Sequence, residues 1–195
     1  MIKSIILASK SNVRKKILEE HGIKCEVITS KINEDLIKES LLEAKATPEL
    51  ISKNMAELKA NKVSEKNYDK LVLGVDSVID LNGRLVNKPK DRNEAKSILK
   101  KLNGQTHKLI SSICISKNGF MNWNFTDSST LKMKKLSDRE ISEYLDKLED
   151  KILYAYGVYQ IESMGKNLFE EIEGDKNTIM GLPINHLKVY LDKYN

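Results

Sequence analysis

A carboxylate interrupts the most apolar stretch of this 195-residue chain, and a lysine follows it twelve residues later. In the run from Leu71 to Pro89, LVLGVDSVIDLNGRLVNKP, Asp76 stands where a buried strand would take another aliphatic residue. Gly74, just before it, lets another part of the molecule approach the backbone closely. Asn82-Gly83 is a tight-turn signal, so Val78-Ile79 and Leu85-Val86 are expected to form a hairpin that brings Lys88 back toward Asp76. A carboxylate beside a lysine is suited to binding a polyanion together with a metal ion. In isolation the same residues also read as a strand-end cap and a solvated charge.

Further groups of the same chemistry lie upstream. Ile2 to Ala8 reads as a buried strand, followed at once by SKSNVRKKILEEHG. There Ser11 or Asn12 can cap a helix whose core positions are Val13, Ile17 and Leu18 and whose stop is Gly22. A strand, a hydroxyl-rich turn and a helix N-terminus make a natural anion site, to which Ser9, Ser11 and Arg14 add donors. A capped helix with nothing bound would look the same. Thr47-Pro48-Glu49 opens a helix with an apolar face of Ile51, Met55 and Leu58. Lys59 stands at the margin of that face, where a lysine buries its stem and reaches inward or out to water.

The elements that must position these groups alternate between helix and strand. Residues 24–29 read as a strand, and a polar segment containing Asn33, Glu34 and Asp35 follows. A capped helix is expected from Asp91 to Asn103. An antiparallel meander over 108–134 follows, read as KLISSICIS, FMNWNF and SSTLKMK, and then a helix opened by the Ser137–Glu140 capping box. LYAYGVYQIE (153–162) and LFEEIEG read as strands, and Pro183 starts a last helix. The class is α/β with a mixed sheet, in one domain spanning 1–195.

Composition narrows the function. A hydrophobic fraction of 40% and a charged fraction of 31% are those of a globular protein with a sizeable core. The formal net charge of +5 comes from dispersed lysines, without an arginine-rich block or aromatic platform. That suits a small anionic ligand and gives no nucleic-acid module, although the charge itself keeps such a module as a rival reading. Cys25 and Cys114, far apart and without companion ligands, read as reduced core residues. No apolar run reaches membrane-spanning length, so no membrane contact and a cytoplasmic location are expected.

Four segments, in order, resemble the Maf-like (septum-formation-inhibitor) nucleotide pyrophosphatases. They are ILASKSNVRKKIL, the LVLGVDSVIDLNGRLVNKP run, LNGQTH, and EGDKNTIMGLP near the C-terminus. The resemblance implies a twisted mixed sheet flanked by helices, with two lobes around a central cleft, and usually a homodimer. It implies a hydrolase that cuts nucleoside triphosphates between the α- and β-phosphates with a divalent cation such as Mg²⁺, Mn²⁺ or Co²⁺. Asp76 takes the family's catalytic aspartate position and, with Glu34, a metal-binding one. Ser9, Arg14, Lys59 and Lys88 fall on positions that handle phosphate, with Ser11, Val13 and Ser77 beside them. The chemistry agrees, because cleaving a phosphoanhydride needs charge neutralisation and an activated water.

The chain departs from the family pattern at Asn12, Val13, Asn33, Ser77 and Asn87. Asn33 replaces an aspartate beside Glu34, which bears on the metal ligands. In YGVYQIE, alignment through Gly157 and Tyr159 places Glu162 at the base-reading position, resembling the branch that prefers 7-methyl-GTP, which is therefore the expected substrate ahead of dTTP and UTP. The alternative register places Gln160 there, as in the branch that prefers dTTP and UTP. A carboxylate accepts from the N1–H and N2–H₂ of guanine, whereas an amide matches the donor–acceptor edge of uracil or thymine. The alternative from another class is a non-catalytic nucleotide-binding regulator of cell division.

Overall fold

In the computed structural model, which describes residues 4–161 and 163–194, helices and strands alternate through the first half of the chain. The wholly buried β1 (Ile5–Leu7) leads into α1 (Asn12–Glu20), where the Ser11 side chain accepts the Arg14 amide. β2 (Cys25–Val27), α2 (Glu34–Glu43) and α3 (Pro48–Ser64) precede the hairpin of β3 (Val72–Leu81) and β4 (Arg84–Val86). Asn82 and Gly83 have φ of 53° and 79°, the left-handed pair that a two-residue type I′ turn requires. After α4 (Arg92–Leu102) come the long strands β5 (Thr106–Lys117) and β6 (Phe120–Met133). The chain ends through α5 (Asp138–Asp146), α6 (Asp150–Tyr156), a 3-10 turn (Met164–Leu168), β7 (Phe169–Glu173), α7 (Lys176–Ile179) and α8 (Ile184–Lys193).

Among the described residues one sheet of seven strands runs β2-β1-β3-β5-β6-β7, with β4 beside β3. The pairings of β1 with β2 and with β3 are parallel, and all others are antiparallel. The mixed sheet flanked by helices is therefore the expected one. Two apolar cores stand on it. One joins β1, α1 and α8 to β3 and β5 through Leu7, Leu18, Leu73 and Leu187. The other joins α4, α5 and α6 to the ends of β6 and β7 through Leu99, Leu131, Leu145 and Phe169. No helix among the described residues is long and apolar enough to cross a membrane.

Several elements differ from expectation for identifiable reasons. The polar segment containing Asn33, Glu34 and Asp35, to which no element was assigned, opens α2 (Glu34–Glu43), with Asn33 as its cap. The segment 153–162, expected as a strand, enters as the end of α6 and leaves the helix at Gly157. FMNWNF and SSTLKMK are one continuous strand, β6, rather than two. Leu58, assigned to the inner face of α3, is 40% exposed, because the buried stripe runs through Ile51, Met55, Ala56, Lys59, Ala60 and Val63. Cys114 is buried as expected, and Cys25 is half-buried; both are free thiols.

The outer edge of β3 determines where the site can lie. It pairs with β1 at Val72 and Leu73, then with β4 from Ile79 to Leu81, and among the described residues no strand pairs with 74–78 on that side. Asp76 is the middle residue of this gap. Opposite it, α3 crosses β3 so closely that a Cβ on Gly74 would fall 2.0 Å from the Ala56 carbonyl oxygen and 2.7 Å from the Ala60 nitrogen. Backbone atoms cannot swing aside as a side chain can. Gly74→Ala is therefore expected to cost at least about 1–3 kcal/mol, as overpacking does. The check is the urea-unfolding midpoint; an unchanged midpoint would show that α3 is free to shift.

Candidate active site

The gap in β3 opens into a cavity of about 490 Å³ lying between the two apolar cores, within the usual range for a small-molecule site. One part of its wall is charged: Lys10, Arg14, Lys31, Glu34, Lys38, Lys59, Asp76 and Lys88. Another is largely apolar, formed by Ile79, Leu85 and Val86 of the hairpin, Leu109 of β5, and the stretch from Gly157 to Ile161. Ser9, Ser11, Val13 and Ser77 also line it.

Asp76 is only 4% exposed. Its Oδ1 accepts a hydrogen bond from Lys59 Nζ at 2.8 Å, and Ser52, one helical face with Lys59 on α3, donates to the Asp76 backbone carbonyl at 3.2 Å. Lys59, 6% exposed, also reaches Glu34 Oε2 at 3.0 Å, so its ammonium bridges the two carboxylates. Asp76 Oδ2 is buried with no hydrogen-bond partner among the described residues. Burial alone would raise the Glu34 pKa, but Lys59, aided by Lys38 and Lys88, more than offsets this and holds it below the ordinary carboxylate range. Lys88 stands at the cavity mouth with much of its side chain in solvent. Crowding by protein atoms lowers its pKa, repulsion from Arg14 and Lys38 adds to the effect, and Asp76 and Glu34 oppose it. Its solvent contact screens these influences.

Arg14 is engaged within the protein. Nε donates to the Gly181 carbonyl at 3.0 Å, and Nη1 to Ser9 Oγ at 3.0 Å and to the Val75 carbonyl, in the β3 gap, at 3.2 Å. Nη2 donates to Ser77 Oγ at 3.0 Å. Ser111 donates its one hydroxyl proton to the Thr178 carbonyl at 2.9 Å, so the 2.8 Å contact with Ser77 requires Ser77 to donate to Ser111. The Ser77 hydroxyl is thus used twice inside the framework. Arg14 and Ser77 tie the β1–α1 turn, β3 and the loop before α8 into one wall.

The sequence-derived set Ser9, Ser11, Val13, Arg14, Glu34, Lys59, Asp76, Ser77 and Lys88 therefore converges on one cavity. Glu162 lies outside the described residues, while Gln160 is in the cavity wall. Several polar participants were missed, among them Lys10 and Lys31 in the cavity wall. Lys38 lies four residues after Glu34 on α2, a helical pair visible only once that helix is recognised, and Ser52 lies two turns before Lys59. Asn33 uses its side chain to accept the Leu36 amide at 3.2 Å, so its part is to start the helix that presents Glu34.

For a divalent cation the donor set is sparse. Among the described residues no group of three or more His, Cys, Asp or Glu side chains stands together. Two carboxylates, with one unpartnered oxygen on Asp76, nevertheless fit a hard cation such as Mg²⁺, which keeps waters and takes phosphate oxygens.

From the sequence Lys59 stands at the margin of its helix face, where little effect on stability follows from its loss. Its burial against Asp76 reverses that expectation. Lys59→Ala strands a buried carboxylate and should cost about 3–5 kcal/mol. Lys88→Ala changes an exposed position and should stay within about 0.5 kcal/mol. Denaturant titration of the two variants separates them, and equal losses would contradict the assigned burial.

Residues 4–194 match the family described as Maf-like protein. A nucleoside triphosphate pyrophosphatase of Pelagibacter ubique (strain HTCC1062) is 60% identical over 191 residues, covering 98% of each chain. The corresponding protein of Caulobacter vibrioides is 38% identical over 187 residues, covering 96% of this chain and 94% of its own. Among solved structures, the Staphylococcus aureus Ham1 protein covers 99% of this chain and 100% of its own at 18% identity, with a TM-score of 0.49. With nearly every residue from Ser4 to Tyr194 inside the match, the chain belongs to the Maf-like protein family.

Proposed function

We propose that this chain, acting as one catalytic unit, is a nucleoside triphosphate pyrophosphatase that hydrolyses the α–β phosphoanhydride to a nucleoside monophosphate and pyrophosphate. The observation that carries the reading is the cavity itself: a cationic wall with one buried, half-free carboxylate shares one enclosure with an apolar wall. A triphosphate joined to a planar base has the same two-part character. The relatives from Pelagibacter ubique and Caulobacter vibrioides bear the name of this activity.

In this reading Lys88 and Lys38 neutralise phosphate oxygens, and the helix-capping turn at Ser9–Ser11 offers further donors. Asp76 holds the proton leaving the attacking water at its unpartnered Oδ2, while Lys59 keeps that carboxylate oriented through Oδ1. The water oxygen bonds to the α-phosphorus and the bridging oxygen departs with pyrophosphate. A divalent cation held by Asp76 and Glu34 would supply positive charge against the phosphate oxygens. Arg14 positions the hydroxyls of Ser9 and Ser77 from behind rather than serving as a free phosphate ligand. Asp76→Asn is expected to remain folded and to lose roughly 10²–10⁴-fold in turnover. Pyrophosphate release by the folded variant at the wild-type rate would remove Asp76 from this role.

The base preference rests on Gln160. It lines the cavity and its Oε1 accepts from Ser163 Oγ at 3.4 Å. An amide at that place matches the N3–H and carbonyl edge of uracil or thymine. That favours dTTP and UTP over 7-methyl-GTP, whose support lay in Glu162. A panel of these triphosphates with Mg²⁺ or Mn²⁺ tests it: pyrimidine turnover should lead, and Gln160→Glu should erode the lead. A lead for 7-methyl-GTP would return the preference to Glu162, and binding without turnover would favour the regulator.

A further inference from the structure

The imidazole of His107, from the LNGQTH segment, has no part in the chemistry above. It lies at the start of β5, only 2% exposed. Nε2 is 2.8 Å from the Tyr159 hydroxyl, and Nδ1 is buried without a hydrogen-bond partner among the described residues. The ring also packs against Tyr159 and Phe169, with centroids 5.7 and 5.8 Å away. Burial pushes its pKa down to about 4, so the ring is neutral near pH 7. A neutral ring with an unpaired buried nitrogen is a poor choice for packing alone, since phenylalanine would fill similar space without that penalty. The bond to Tyr159 is what the histidine provides.

Tyr159 belongs to the segment that leaves α6 at Gly157, where φ is 100°. Among the described residues no strand pairs with residues 158–161, so a hydrogen-bond ladder does not fix them. Val158 and Tyr159 are buried, while Gln160 and Ile161, next in the chain, are half-buried in the cavity wall. From the other side Gly165 presses on the Gln160 backbone, where an added Cβ would fall 2.4 Å from the Gln160 carbonyl oxygen. The wall is thus held at Gln160 by the close glycine contact and the Ser163 amide, which donates to the Gln160 carbonyl at 3.2 Å, and at Tyr159 by the buried hydrogen bond to His107.

We infer that His107 is a positioning residue for base recognition: through Tyr159 it fixes the Gly157–Ile161 wall, and it sets discrimination among bases without touching the nucleotide. The inference rests on the proposed nucleotide chemistry of this cavity. Its test compares His107→Phe, which keeps a ring and loses the bond, with His107→Gln, whose amide nitrogen can stand in for Nε2. With dTTP, UTP and 7-methyl-GTP as substrates, His107→Phe should raise KM for the best nucleotide and narrow the spread of kcat/KM among bases, each by roughly tenfold. Its kcat should stay within about threefold, and inhibition by inorganic pyrophosphate, which carries no base, should not change. His107→Gln should restore most of the discrimination. Tyr159→Phe removes only the hydroxyl and serves the same comparison if His107→Phe does not fold. A lowered melting temperature with unchanged discrimination would make His107 purely structural and overturn the inference. Equal loss of pyrophosphate inhibition would overturn it as well. A wild-type protein inert toward every triphosphate would instead sink the underlying nucleotide reading, and this inference with it.

Discussion

The backbone of α3 lies against β3 at a distance that only a residue without a Cβ permits. At Gly74 the Ala56 carbonyl and the Ala60 amide occupy the space a side chain would take. Between those two alanines, on the same buried stripe, Lys59 is carried over the sheet, and its stem is just long enough to set the ammonium 2.8 Å from Asp76. A helix held farther out would leave that ammonium short of the carboxylate. It would also leave a charge in an apolar interior, where an unpaired carboxylate is costly. The tight helix–sheet contact and the buried ion pair are therefore one constraint with two aspects. It comes at the place where β3 has lost one neighbour and not yet gained the other, so the charged residue sits at an opening and not under a third strand.

The charge balance around that opening follows from the same arrangement. Two carboxylates, Asp76 and Glu34, face six cations, Lys10, Arg14, Lys31, Lys38, Lys59 and Lys88. Lys59 is consumed by the carboxylates and Arg14 by carbonyls and hydroxyls. The surplus positive charge falls on the wall lysines Lys10, Lys31, Lys38 and Lys88, and the depressed pKa of Lys88 reflects first its crowding by protein atoms and then repulsion from Arg14 and Lys38. A polyanion entering the cavity relieves the repulsion, so part of its binding is prepared in the empty protein. The burial of Lys59 and the engagement of Arg14 mean that neither has to move for the wall to be in place.

Much of this was legible in the chain because local signals and tertiary contacts agree. The Asn82-Gly83 turn, the caps at Ser11, Thr47, Asp91 and Ser137, and the aliphatic run before Asp76 each state their structure within a few residues. α2 was passed over although Asn33 is a helix cap, Glu34 and Asp35 are first-turn acids, and Ile37 and Leu41 stand four residues apart; none of its residues is buried, so this pattern does not join either core. The stretch from Leu153 misled for the opposite reason: its aromatic and branched residues look like a strand, yet they continue a helix begun at Asp150. Lys59 was placed at the margin of its helix, since a lysine on an inner face is expected only where a buried carboxylate awaits it, and that carboxylate comes from another element. The bonds of Arg14 could not be read at all, for its partner at Gly181 is set by the fold and not by spacing.

That last contact gives the site an order in time. Ser9, Glu34, Lys59, Asp76 and Lys88 are all made early in synthesis, but the wall that Arg14 fastens includes the Gly181 carbonyl, 167 residues downstream of it. During translation the chain carries every charged group of the cavity for on the order of ten seconds before that carbonyl exists. A nascent or C-terminally clipped chain thus holds the reactive groups without the brace that orders Ser9 and Ser77. The wall is closed only once Gly181 has been made, long after the charged groups it orders.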